Sequence, residues 1–95
     1  MAAAIALPET LDLKAAAPLK AALLERRGAA ITVEADQVRR LGGLCLQVLL
    51  AARKAWDQDG QSFSIKGPSE AFVETTRLFG AEGALLSAAI QGAES

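Results

Sequence analysis

Histidine is missing from this 95-residue sequence, and cysteine occurs once, at Cys45. Without histidine a lone thiol has no imidazole base to activate it, and zinc is left without a ligand set. One cysteine also excludes an internal disulfide. A secreted domain this small usually depends on such a staple or on a metal, so a cytoplasmic setting is expected. Aromatic residues are few, Trp56 and three phenylalanines, and the formal net charge is only -1. Lysines and arginines are scattered along the chain, so no broad cationic face is available to capture nucleic acid or an anionic bilayer. Long hydrophobic runs are missing too. Met1 to Leu7 resembles the start of an export signal, but it has no basic segment before it and Pro8-Glu9 ends it early, so it reads as a first strand.

What remains is a globular composition, 52% hydrophobic and 22% charged. Much of the apolar share is alanine, which contributes little area, so one small domain of modest stability is expected, with its core over about residues 3–90 and a frayed tail over 91–95. A short strand over 3–8 leads to a polar break at 9–12 that accommodates a turn or a second short strand. Leu13, Ala16, Leu19, Leu23 and Leu24 recur at helical spacing, and Pro18 fits only near a first turn, which predicts a helix from about Ala15 that stops at Gly28. Residues 29–35 read as a central strand. Leu44 to Gln58 is a second, largely apolar helix with Gln47, Lys54 and Gln58 on one narrow face. Ser62 to Lys66 alternates strictly, with Phe63 and Ile65 inward. Ser69 then caps a helix from Glu70 to Phe79 that buries Phe72, Val73, Thr76 and Phe79, and a last helix is expected over 82–90 with Leu85, Leu86 and Ile90 inward. Alternating strands and helices predict an α/β domain, a small mixed β-sheet with helices packed on it.

The segment with most functional content is Gln37 to Asp57. Gly42-Gly43 at the mouth of the second helix allows another backbone or an anion to come close to its amides. Arg39 and Arg40 flank that pair, and Gln47, Ala51 and Lys54 continue a face of small and polar residues along the helix. Such a surface suits close approach by a partner protein, with arginines placed to anchor carboxylates. The bland alternative is a turn with solvating arginines. A phosphate-binding loop would need lysine and a hydroxyl after the glycines, and a dinucleotide site a third glycine; Leu44-Cys45-Leu46 supplies neither. Cys45 reads as a core residue. Asp57-Gln58-Asp59-Gly60 reads as a helix exit rather than, with Glu34 and Asp36, an acid-base pair. Ser62, Ser64 and Ser69 read as structural hydroxyls, and Trp56 as core packing.

Leu11-Asp12-Leu13-Lys14-Ala15-Ala16-Ala17-Pro18-Leu19, Ile31-Thr32-Val33-Glu34-Ala35 with Val38, Leu46-Gln47-Val48-Leu49-Leu50, Gly60, and Gly67-Pro68-Ser69 leading to Leu78-Phe79-Gly80 together resemble a STAS domain, named for sulfate transporters and anti-sigma-factor antagonists. The resemblance runs from about Ile5 to Leu86. It implies that Gly42 stands where phosphoregulated members carry aspartate, Gly43 where they carry the serine or threonine phosphoacceptor, and Cys45 where glycine is usual. The hydroxyl needed for a phosphate switch is therefore missing at position 43. What the resemblance still implies is a non-enzymatic binding role without cofactor, metal or small-molecule substrate. The implied partner is a regulatory protein, such as a chemotaxis histidine kinase. Anti-sigma-factor antagonism and an accessory role in a lipid ABC transporter are the alternatives.

Overall fold

A computed structural model of the protein describes residues 3–86. Three strands, β1 (Ala3–Ala6), β3 (Ile31–Glu34) and β5 (Phe63–Lys66), form one sheet in the order β1-β3-β5. A second, two-stranded ladder joins β2 (Thr10–Leu11) to β4 (Arg40–Leu41). Three α-helices, α1 (Ala16–Leu24), α2 (Gly43–Gln58) and α3 (Glu70–Leu78), connect or follow these strands, and residues 82–86 are also helical. This is the α/β domain expected from the alternation of periodicities. Each strand pairing is parallel where a mixed sheet was expected, because each return from one strand to its neighbour passes through a helix.

β3 is central, as its β-branched run predicts. Its Ile31 and Val33 are buried together with Phe63 and Ile65 of β5, while Thr32, Glu34 and Ser64 on the opposite face are half-buried. Period-two alternation thus packs one face into the core. Leu19 and Leu23 of α1 and Leu46, Leu49 and Trp56 of α2 belong to the same hydrophobic cluster. The Trp56 ring meets Phe63 edge-on at 5.9 Å between centroids, and its indole Nε1 donates to the Ala29 carbonyl at 2.8 Å. The buried ring with a satisfied N–H is the packing role read from the sequence.

Several boundaries differ from the expectation. The first helix is preceded by a 3₁₀ turn, Leu13–Ala15, capped by the Asp12 carboxylate, whose Oδ1 accepts from the Ala15 amide at 3.2 Å. That turn takes Leu13 off the wheel of α1, and Leu13 is exposed rather than buried. α1 ends at Leu24, and turns lead to Gly28, whose φ of 97° is open to glycine at little cost. α3 begins at the Ser69 cap, where Oγ accepts from the Phe72 amide at 3.1 Å and donates to the Val38 carbonyl at 2.5 Å. Phe72 and Thr76 are buried as predicted, Val73 is half-buried, and Phe79 is exposed: the helix stops at Leu78 and Phe79 leaves its wheel with φ -91° and ψ 5°. β4 lies directly ahead of α2, within the segment from Gln37 singled out above. Leu85 and Leu86 are buried, while Ile90 and the tail over 91–95 lie outside the described residues.

Candidate functional site

The two glycines at the start of α2 have different physical reasons. Gly42 is the N-cap, in extended conformation at φ -78° and ψ 158°, and its carbonyl accepts the first helical bond from the Leu46 amide at 3.0 Å. Its own amide donates to the Leu11 carbonyl at 2.8 Å, tying the helix entrance to the end of β2. A Cβ added here would stand 3.0 Å from that carbonyl oxygen, so Gly42 permits the close approach of two backbone segments. Gly43, the first helical residue, is under no such demand. A Cβ there would meet only the Phe79 ring, at 3.8 Å. Gly42 is half-buried and Gly43 is exposed, so the entrance faces outward.

No side chain caps this helix, and no hydroxyl or carboxylate occupies its first turn. Cys45 is fully buried there, and its Sγ–H donates to the Asp12 carbonyl at 3.2 Å. Burial, seconded by the charge of Asp12, pushes the thiol pKa above its ordinary value. The helix N-terminus therefore does not produce a thiolate at this position, and the residue acts as a small core hydrophobe with a satisfied donor.

Gly43, Gln47, Ala51, Lys54 and Gln58 are all exposed and follow one another at helical spacing along α2. Gln47 and Ala51 also line an apolar groove between α1 and α2, a cavity of about 380 Å³. The arginines lie elsewhere. Arg40 sits in β4 opposite Thr10, and Arg39 lines a separate polar depression with Glu9, Asp36, Gln37, Ser69 and Glu70. Arg39 also faces Glu9 across 3.9 Å, with both side chains largely in solvent. The backbone explains this placement: the Arg39 and Arg40 amides both bond the Glu9 carbonyl, at 2.7 and 3.1 Å, which ties the segment before α2 to the segment before β2.

The remaining candidates for chemistry are engaged structurally. Asp59 takes a bidentate bond from Arg27, with Nε to Oδ2 at 3.0 Å and Nη2 to Oδ1 at 2.9 Å, and Asp57 pairs with Arg53 at 3.3 Å one turn earlier on α2. These pairs close the exit of α2, as the helix-exit reading expects. Among the described residues no group of three His, Cys, Asp or Glu side chains is placed to hold a metal ion.

Sequence reasoning missed an apolar component of this surface. Phe79 stands beside Gly43, Leu44 follows it at 45% exposure, and Leu24 is 53% exposed on the groove's α1 side. Of the adjacent leucines 23 and 24 at the end of α1, Leu23 is buried and Leu24 is not.

No curated protein matches the chain. A family model described as "Mlab, STAS domain" matches residues 1–88. STAS domains are in general non-catalytic regulatory or interaction modules. With that match spanning nearly all of its sequence, and with the parallel α/β architecture beneath it, the chain belongs to the STAS domain family.

Proposed function

We propose that this chain is a non-catalytic docking domain that grips a regulatory protein through the entrance and outer face of α2, without a phosphate switch at position 43. The observation that carries this reading is the character of Gly43: exposed, with only the Phe79 ring beside it at 3.8 Å from where a Cβ would stand, and without the hydroxyl that the family resemblance places there. The helix entrance is thus accessible to a partner backbone but offers no atom to phosphorylate. Gln47, Ala51 and Lys54 extend the contact along α2, with Gly42 holding the entrance against β2, while Arg39 and Arg40 lie off this face. The setting is cytoplasmic and the partner is a signalling protein, with a chemotaxis histidine kinase or an anti-sigma-type kinase as its class.

A second reading, accessory subunit of a lipid ABC transporter, is favoured by one feature. Exposed Leu24, Leu44 and Phe79 give the surface an apolar character that suits permanent subunit contacts more than transient signalling ones.

Affinity capture from native lysate tests the docking role. Wild-type protein is expected to retain one regulatory or transporter partner, and Gly43→Arg and Gln47→Arg to lose it while keeping their circular dichroism and melting cooperativity. Retention unchanged by both substitutions would remove this face as the docking surface. The identity of the captured protein, a kinase or a transporter ATPase, separates the two readings.

A further inference from the structure

The two edges of the main sheet are guarded unequally. The Ala3 and Leu7 amides donate to the Ala30 and Glu34 carbonyls at 2.7 and 2.9 Å, so Ala3, Ile5 and Leu7 bond β3 while Ala4 and Ala6 turn their amides and carbonyls outward. β1 is an edge strand, both alanines are exposed, and their outward groups have no hydrogen-bond partner among the described residues. No charged side chain stands between Ala3 and Pro8. By the same alternation Phe63 and Ile65 of β5 face outward at the opposite edge, but there Arg53 Nη1 donates to the Phe63 carbonyl at 3.4 Å and exposed Lys66 ends the strand. Charges of that kind keep an edge from pairing with another chain, and β1 has none. Beside β1 runs an apolar groove of about 450 Å³, where Ile5 and Leu7 face Pro18, Leu19 and Ala22 of α1.

From this contrast we infer that β1 pairs with β1 of a second copy of the chain, antiparallel about a two-fold axis at Ile5, so that two three-stranded sheets become one continuous sheet. The inference goes beyond the docking reading and leaves the outer face of α2 free. The edge is its own complement. Ala4 and Ala6 flank Ile5 symmetrically, so Ala4 of each copy exchanges N–H···O bonds with Ala6 of the other, and Ile5 meets its equivalent in the closer, non-hydrogen-bonded pair. Pro8, at the next outward position, has no amide, which ends the run of donors and selects this register. Each Ile5 points to the groove side and adds apolar area beside the groove of the other copy. A two-fold contact also closes after two copies, whereas β1 on β5 of the next copy would displace Arg53 and propagate. One short strand and a groove make a small interface, so the dimer is weak and reversible.

Sedimentation velocity of the whole chain from about 5 to 500 µM is expected to show monomer giving way to dimer, with a Kd on the order of 10–100 µM. Ala6→Pro removes an outward amide that no bond to β3 uses, and is expected to abolish the dimer with circular dichroism unchanged. Charged pairs at the two exposed alanines test the register without proline. Ala4→Lys with Ala6→Lys opposes like charges across both hydrogen-bonded pairs and is expected to weaken the dimer by about 10-fold, whereas Ala4→Glu with Ala6→Lys opposes unlike charges and is expected to dimerise at least as tightly as wild type. A wild-type chain that stays monomeric over the whole range would overturn the inference, and loss of the lysate partner with Ala6→Pro would then give the edge to a strand of that partner. Growth beyond the dimer, a dimer indifferent to the two lysines, or equal weakening by both charged variants would overturn it as well.

Discussion

Two neighbouring glycines show how differently one residue type works at the same helix entrance. Gly42 is required by a backbone contact, since a methyl group there would press on the Leu11 carbonyl at 3.0 Å. Gly43 is required by nothing inside the domain. Gly42→Ala is therefore expected to destabilise the protein by about 1–3 kcal/mol, through a displaced β2 contact or a strained cap. Gly43→Ala is expected to be neutral or to stabilise by ~0.4–1 kcal/mol, because it removes freedom from the unfolded chain in a conformation alanine adopts readily. Urea denaturation of the two variants checks the pair; equal losses would show that both glycines serve the fold. The sequence announced the glycine pair but not this division, which depends on how close β2 comes to the cap. It also pointed to Cys45 as a core residue, and the hydrogen bond to Asp12 and the raised thiol pKa agree with that reading.

At the scale of elements, legibility follows the length and regularity of the pattern. β3, β5 and α2 were readable because strict alternation or a sustained helical stripe left one interpretation, and Ser69 was readable as a cap because a hydroxyl directly precedes the run that becomes α3. β2 and β4 were hard to read because each has two residues and exists only through its pairing with the other. The exposure of Leu13, Leu24 and Phe79 was misread for a shared reason: each lies at or beyond an end of its α-helix, where the wheel no longer describes side-chain direction. The entrance and face of α2 were legible as a stripe, whereas the separation of Arg39 from it was not, because it results from backbone bonds to Glu9. Ser69 joins two elements by capping α3 and bonding the Val38 carbonyl ahead of β4. Ser69→Ala is expected to cost about 1–2 kcal/mol, and Ser69→Thr or Ser69→Asp less, as measured by thermal or urea unfolding. A loss no larger for alanine than for the other two would mean that the cap contributes little.

For the whole molecule, the proposed docking role separates stability from recognition. The core lies between one face of the β1-β3-β5 sheet and the inner sides of α1 and α2, while the outer side of α2 carries exposed small, polar and apolar residues that the core does not use. Among the described residues no helix is long and apolar enough to cross a membrane. The polar depression around Arg39 and the half-buried outer sheet face are the competing surfaces, and a partner seated on either would leave α2 as accessible as it is in the free domain. Hydrogen–deuterium exchange of the domain, alone and with the protein it retains from lysate, distinguishes the three surfaces directly. Slowed exchange over residues 43–54, with the segments around Arg39 and Ser69 unchanged, is the predicted result; protection confined to the Arg39 depression or to the sheet, with α2 unaffected, would contradict it.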